Sequence, residues 1–181
     1  MTIRIRPAGQ EDYKEIYKLI EAAFKDEVYT DHDEHKLVER LRAAPDFLAG
    51  LSLVAELDIK ANDRKIVGHI LFTEIMVGDK KALALAPVSV LPDYQGRGIG
   101  GQLIKFGHQA SLDLGYELVV LLGHADYYPK FGYEKASKYG ILPPFDVPDE
   151  NFMVKELKVG SLSTYKGLVV YPPAFQIDYT K

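Results

Sequence analysis

The sequence predicts an α+β fold in which a mixed, mostly antiparallel sheet is flanked by helices. Three apolar segments follow one another between residues 47 and 91 and are separated by short polar turns, as in an antiparallel meander. The third segment leads through a glycine-rich stretch at residues 95–101, the glycine turn, into a helical pattern and then a continuous apolar strand. That order indicates a β-α-β unit whose two strands are parallel.

Composition narrows the class of protein. The chain has 181 residues, of which 47% are hydrophobic and 27% charged, as expected for one globular domain with a sizeable core. The net charge of -4 argues against a nucleic-acid-binding surface, and no apolar run approaches the ~18 residues of a membrane span. The absence of cysteine excludes disulfides, a thiolate nucleophile and a cysteine-bound metal. We therefore expect a cytoplasmic enzyme without a metal, a nucleic-acid partner or a membrane partner.

The N-terminal part is expected to form a strand and two helices. Residues 2–6 alternate polar and apolar side chains and predict the strand. Residues 8–24 place apolar side chains at helical spacing and carry acidic side chains in the first turn. A second helix is predicted from Asp31 or His32 to Ala43, because Pro45 stops it. The apolar face of this second helix comprises Leu37, Val38 and Leu41.

The meander strands are expected at 51–57, 65–77 and 81–91, with hairpin turns at 62–63 and 78–79. Pro87 lies in the third strand and has no N–H, so it predicts an edge or a bulge that splays this strand from its next neighbour. Small side chains on one face of the same strand suggest the close approach of a helix or a ligand. They are Ala82, Ala84 and Ala86.

Beyond the glycine turn, a helix is predicted over 102–114, with Gly115 as its C-terminal stop. Its inward-facing residues are expected to be Leu103, Ile104, Phe106, Gly107, Ala110 and Leu114. A buried strand at 116–122 and a short helix at 125–130 follow. The remaining elements are a strand after residue 133, a proline-rich loop at 139–150, and strands at 152–157 and 165–171.

The glycine turn has the features of a phosphate site. Glycine allows the backbone to approach a ligand closely, and the first N–H groups of a helix have no internal partner. The positive end of the helix dipole also favours an anion there. The turn lacks the Lys-Ser or Lys-Thr of a G-x-x-x-x-G-K-[ST] loop, and it fits the dinucleotide pattern G-x-G-x-x-G only loosely. The sequence thus predicts a pyrophosphate site of another kind.

Two motifs carry a family resemblance. Gln95, Gly98 and Gly100 follow an apolar strand in the pattern Gln-x-x-Gly-x-Gly, and Tyr128 stands four residues before the pair Gly132-Tyr133. These motifs resemble the two signatures of the GNAT superfamily of N-acetyltransferases, and the order of elements over residues 2–158 is similar as well. Further stretches resemble the YhbS-like branch of this superfamily, and they begin at Gly68, Gly123 and Tyr171.

The resemblance implies a GNAT-type sheet whose fourth and fifth strands splay apart. It implies an acetyl-CoA-dependent N-acetyltransferase that moves an acetyl group from the thioester to a primary amine acceptor. A non-catalytic acetyl-CoA-binding module and an acyltransferase that uses another acyl-CoA remain alternatives. The residues expected to bind the cosubstrate acetyl-CoA are Val88, Val90, Gln95, Gly96, Arg97, Gly98, Ile99, Gly100 and Gly101.

The expected catalytic residues are Tyr128 and His124. A phenol is protonated at neutral pH, so Tyr128 is the candidate general acid for the departing thiolate, with Tyr127 as its alternative. The general base is His124, His69, Glu74 or a water chain, because alanines occupy the strand positions where many superfamily members carry a glutamate.

The acceptor is expected to enter between the first two helices and the region near Tyr139. Acidic residues in the connection between these helices would attract its ammonium group, and they are Glu27, Asp31, Asp33 and Glu34. Residues 1–158 are expected to form the acetyltransferase domain. Residues 159–181 are expected to be an extension packed on the same domain, where they either seal the acceptor pocket or form a homodimer contact.

Overall fold

The structure is a computed structural model that describes residues 2–60 and 63–180. The strands are β1 Ile3–Pro7, β2 Ser52–Lys60, β3 Asp63–Val77, β4 Lys80–Val90, β5 Leu118–Leu122, β6 Glu134–Lys135, β7 Ile141–Leu142, β8 Phe152–Glu156 and β9 Gly167–Val170. The α-helices are α1 Tyr13–Phe24, α2 Glu34–Ala43 and α3 Ile99–Asp113. Among the described residues, no helix has the length and hydrophobicity that a membrane crossing requires.

The strands form one mixed sheet, as the sequence predicts. Within the described residues its order is β1-β2-β3-β4-β5-β8-β6, and β9 pairs with both β3 and β7. The β4–β5 pair is parallel, whereas β1–β2, β2–β3 and β5–β8 are antiparallel. The parallel pairing covers only Leu83↔Val119 and Ala84↔Val120 and ends before Pro87. The predicted hairpin at residues 62–63 includes Asn62, which lies outside the described residues.

The first two helices begin later than predicted, because side chains before them bind backbone N–H groups. The Asp12 carboxylate accepts the N–H of Gly9 at 2.7 Å, and a short 3-10 turn at Gln10–Asp12 replaces the first predicted turn of α1. The Asp31 carboxylate likewise accepts the N–H of Asp33 at 3.1 Å ahead of α2. Aspartate favours such local turns over helix interiors.

Beyond β4, several predicted boundaries were wrong. α3 begins at Ile99 rather than at residue 102, because the last glycines of the glycine turn form its first turn. Leu103 and Ile104 are buried as predicted, but Phe106 is 44% and Leu114 57% exposed. β5 begins at Leu118 rather than at residue 116. The short helix expected at 125–130 is a 3-10 helix at Tyr128–Phe131, and the loop at 139–150 contains β7.

The chain divides into two compact units. The first unit comprises the chain up to Phe72 together with Ala86–Gly107. In it, α1 buries Ile16, Leu19 and Ile20, which recur at helical spacing. On α2, His35 is buried beside Val38 and Leu41, and its ring packs edge-on against Tyr17 with the ring centroids 4.7 Å apart. The predicted apolar face was therefore wrong in one position, since Leu37 is only half-buried.

The second unit comprises Thr73–Leu85 and His108–Lys181. Its core joins the end of β3 and the start of β4 to β5, β8 and β9, through residues such as Ile75, Ala82, Val120, Val154 and Val169. β9 continues this core because Met76 pairs with Val170 and Val77 with Val169. The hydroxyl of Tyr165 also donates to the carbonyl oxygen of Lys81 at 3.0 Å.

Candidate active site

The glycine turn connects the end of β4 to the start of α3 in the first unit. Gly96 and Gly98 have φ angles of +71° and +78°, a conformation that glycine adopts without steric cost. The N–H of Gln102 donates to the carbonyl oxygen of Gly98 at 3.1 Å and starts the ladder of α3. Ile99, Gly100 and Gly101 form the start of α3, where N–H groups have no acceptor within the helix and the positive end of the helix dipole lies.

The turn leaves room for an anion. A Cβ built on Gly96 or on Gly98 would meet nothing within 4 Å, so the space over both residues is open. Backbone N–H groups at the start of a helix of this length are suited to a phosphate. The residues present therefore fit the pyrophosphate that the sequence predicts.

Two side chains of the glycine turn form hydrogen bonds with the backbone next to it. The Gln95 amide donates to the carbonyl oxygen of Val90 at 3.0 Å and ties the turn to the end of β4. The Arg97 guanidinium donates to the carbonyl oxygen of Asp93 at 3.0 Å and lies 5.3 Å from the centroid of the Tyr94 ring. Both polar side chains thus fix the backbone that carries the glycines.

Gly68 on β3 brings the first turn of α3 close to the sheet. A Cβ at this position would lie 2.9 Å from Leu103 Cδ1 and 3.2 Å from Ile99 Cγ2. It would also lie 3.3 Å from the carbonyl oxygen of Ser89, between the half-buried Val88 and Val90. Gly68 therefore sets where the N-terminus of α3 sits against β3 and β4, a role that its place in the sequence motif did not reveal.

Tyr128 lies in the second unit at the start of the 3-10 helix Tyr128–Phe131. It is buried, and burial together with the neighbouring Tyr127 raises the pKa of its phenol well above the usual value. Tyr127 is half-buried, and burial raises the pKa of its phenol as well. Both phenols are therefore protonated at neutral pH and available as proton donors.

His124 follows β5 and is exposed. Its carbonyl oxygen accepts the N–H groups of Tyr127 at 3.2 Å and of Tyr128 at 3.4 Å. The structure thus brings His124 and Tyr128, the two predicted catalytic residues, together in one turn of the second unit.

The other two candidate bases are engaged elsewhere. His69 is fully buried in the first unit, with its Nε2 3.0 Å from Ser52 Oγ. Burial, with Arg42 nearby, lowers the pKa of His69 to about 3. In the second unit, the Glu74 carboxylate accepts the Tyr116 hydroxyl at 2.5 Å and lies 3.1 Å from Lys81 Nζ, and these contacts lower its pKa. His69 therefore lacks the exposure that a general base needs, and both carboxylate oxygens of Glu74 are engaged by Tyr116 and Lys81.

Comparisons with known proteins place this arrangement in a family. Residues 49–135 match the acetyltransferase (GNAT) domain family. The N-acetyltransferase YhbS of Escherichia coli K12 is 31% identical over 144 residues, which cover 78% of this chain and 83% of YhbS. This chain belongs to the GNAT acetyltransferase family. A second relative, the N-acetyltransferase YjhQ of the same organism, is 41% identical over 106 residues, and the match spans 56% of the length of each protein.

Two solved GNAT structures extend the likeness to nearly the whole chain. The crystal structure of E. coli YhbS in complex with CoA superposes with a TM-score of 0.85 at 26% identity, over 97% of this chain and 92% of YhbS. A GNAT acetyltransferase from Brucella melitensis in complex with acetyl-CoA has a TM-score of 0.77 at 32% identity, over 96% of this chain and 98% of its own. The predicted family and fold class are thereby confirmed.

Proposed function

We propose that this chain transfers an acetyl group from acetyl-CoA to a primary amine. The observation that carries the proposal is the glycine turn, in which Gly96 and Gly98 open the backbone at the N-terminus of the 15-residue helix α3. Related GNAT proteins were crystallised with CoA and with acetyl-CoA, which supports the same ligand here. Acetyl-CoA supplies the acetyl group as a thioester.

The chain's own backbone holds the cosubstrate in this proposal. The N–H groups of residues 97–101 bind the pyrophosphate, with Gln95 bracing the turn from the side of β4. The backbone of Val88 and Val90 pairs with the amide groups of the pantetheine arm. Both residues lie at the end of β4, directly before the glycine turn, so one continuous stretch of chain serves both parts of the ligand.

Tyr128 is the general acid of the proposal. Its phenol stays protonated because burial raises its pKa, so the proton is available for the sulfur of the leaving group. Tyr127 is the alternative donor. His124 accepts the proton that the amine loses, since it is exposed where β5 ends and, unlike His69, is open to an incoming acceptor.

The binding step is tested by calorimetry with acetyl-CoA, CoA and NADH. Gly98→Ala introduces a side chain at φ +78° in the turn, whereas Gly115→Ala introduces one at φ +91° beyond the far end of α3, and neither Cβ meets an atom within 4 Å. The backbone strain is therefore matched. We expect Gly98→Ala to weaken acetyl-CoA binding by about tenfold or more, because the strain of ~1–2 kcal/mol distorts the turn that holds the ligand. Gly115→Ala should keep the wild-type affinity. Binding of NADH alone would refute the proposal.

The catalytic step is tested by the release of CoA thiol over a panel of primary amines. We expect Tyr128→Phe to lower kcat by about 100-fold while the affinity for acetyl-CoA is kept, as for loss of a general acid. His124→Ala should slow the reaction at saturating acetyl-CoA, because the group that accepts the proton of the amine is removed. Wild-type rates for His124→Ala across pH would remove it from the mechanism. Binding of acetyl-CoA without turnover of any amine would favour a non-catalytic binding module.

A further inference from the structure

Gly123, directly after β5, is bound on both sides by one residue. Its N–H donates to the carbonyl oxygen of Asn151 at 2.9 Å, and the Asn151 side-chain amide donates to the carbonyl oxygen of Gly123 at 3.0 Å. Asn151 is itself fixed, because its N–H donates to the carbonyl oxygen of Pro148 at 3.0 Å. The two bonds determine where the backbone at Gly123 lies.

The ring of Tyr128 packs directly against Gly123. A Cβ at Gly123 would lie 2.3 Å from Cε2 and 2.8 Å from Cδ2 of that ring, distances that no real Cβ tolerates. Gly123 is not one of the glycines with a positive φ, so its backbone would accept an alanine. The Tyr128 ring is therefore the reason that this position requires glycine.

The ring has little freedom to retreat from an added side chain. Tyr127 packs edge-on against it with the ring centroids 5.0 Å apart, and Tyr133 does so at 5.8 Å. Tyr133 is buried and its hydroxyl lies 2.7 Å from Nε2 of His108. Any side chain at Gly123 would therefore displace Tyr128 or push the aromatic residues behind it.

We infer that Gly123 and Asn151 are positioning residues that set the place of the Tyr128 phenol, an inference that rests on the acid role proposed for Tyr128. Asn151 holds the Gly123 backbone, and that backbone forms the surface on which the Tyr128 ring lies. A general acid has to stand within hydrogen-bond reach of the atom that it protonates, and a displacement of ~1 Å can cost about 100-fold in rate.

The test combines steady-state kinetics with a structural readout. We expect Gly123→Ala to lower kcat about 10- to 100-fold, with the KM for acetyl-CoA within about twofold of wild type. Asn151→Asp keeps the shape of the side chain but places a carboxylate oxygen against the Gly123 carbonyl, and we expect about a tenfold loss in kcat. Gly50→Ala is the matched control, since its Cβ meets nothing within 4 Å and its φ is not positive. It should leave kcat unchanged.

The readout besides activity is NMR of the ligand-free protein with labelled tyrosine rings. The Tyr128 resonances are those lost in Tyr128→Phe, and we expect them to shift in Gly123→Ala and in Asn151→Asp but not in Gly50→Ala. In the Tyr128→Phe background, Gly123→Ala should cause no further loss of kcat, because a role exercised through the hydroxyl is not additive with its removal.

The outcomes distinguish a failure of the acid role proposed for Tyr128 from a failure of the positioning role inferred for Gly123 and Asn151. Wild-type kcat in Tyr128→Phe would refute the acid role and, with it, this inference. A loss of kcat in Tyr128→Phe, combined with wild-type kcat or unshifted Tyr128 resonances in both Gly123→Ala and Asn151→Asp, would overturn the positioning inference alone. Additive losses in the double variant would do the same. If Gly123→Ala does not fold, the kcat and the Tyr128 resonances of Asn151→Asp alone test the positioning inference.

Discussion

The buried His69 makes the stability of this protein depend on pH in a way that can be measured. The side chain is fully buried, and within the described residues its Nδ1 has no hydrogen-bond partner. Burial lowers the pKa of His69 to about 3, with Arg42 adding to the effect. An unfolded chain would take up a proton on this imidazole at about pH 6.5, whereas the folded protein would not.

The sign and size follow from that difference in pKa. Below about pH 6.5 the unfolded state binds one more proton than the folded state, so the free energy of unfolding falls as the pH falls. Each pH unit costs about 1.4 kcal/mol, which gives a loss of about 2 kcal/mol between pH 7 and pH 5. The loss levels off near the folded-state pKa of about 3.

Urea unfolding at a series of pH values in wild type and His69→Gln measures this contribution. The glutamine amide can still reach the Ser52 hydroxyl but does not titrate, so we expect the variant to lose about 2 kcal/mol less than wild type from pH 7 to pH 5. His32→Asn is the control, because His32 is exposed and its positive φ of 58° suits asparagine. A wild-type profile parallel to that of His69→Gln would show that the fold admits the charged imidazole.

Two further predictions concern stability. Arg6→Ala should lower the free energy of unfolding by about 3 kcal/mol, because Arg6 bridges the buried carboxylates of Asp12 and Glu56. Arg4→Ala is the control, because Arg4 lies on the exposed face of β1 and its loss should be nearly neutral. Urea unfolding at pH 7 measures both variants. Gly107→Ala should lower the free energy of unfolding by about 1–3 kcal/mol, and with it the Tm, because its Cβ would lie 2.3 Å from Cε2 of Phe72 and overpack the core. Adding Phe72→Leu should restore part of the Tm, and no recovery would show that the Phe72 ring is not the obstacle.

The order of elements could be predicted from sequence because it rests on periodicity, but several boundaries could not. The starts of α1 and α2 are set by the side chains of Asp12 and Asp31, whose hydrogen bonds to nearby N–H groups compete with the helix. Such competition is decided by a single contact, which no pattern of apolar residues records.

The candidate site likewise contains residues that could be predicted from the sequence and residues whose role depends on contacts made only in the folded protein. The glycine turn and Tyr128 could be found from their motifs, because the spacing of the glycines and the position of Tyr128 four residues before Gly132-Tyr133 can be seen in one sequence. Gly68 and Gly123 could not be assigned a role, since the atoms that require glycine there come from distant residues such as Leu103 and Tyr128. The burial of His69 was equally hidden, because a histidine in an apolar strand is compatible with a base or with a core residue.

The pairing of β9 with the end of β3 has a consequence for how the chain matures during synthesis. Met76 and Val77 meet Val170 and Val169 across more than ninety residues of sequence. The hydrophobic cluster that contains Ile75 and Ala82 also contains Val169 of β9, so it is complete only after β9 has been synthesised. We therefore expect the apolar residues of the second unit to stay exposed during translation until β9 has been synthesised, after the residues of α1 and α2 are already available to fold. Chaperones that act on nascent chains would meet this surface, and synonymous changes that slow translation before β9 would lengthen its exposure.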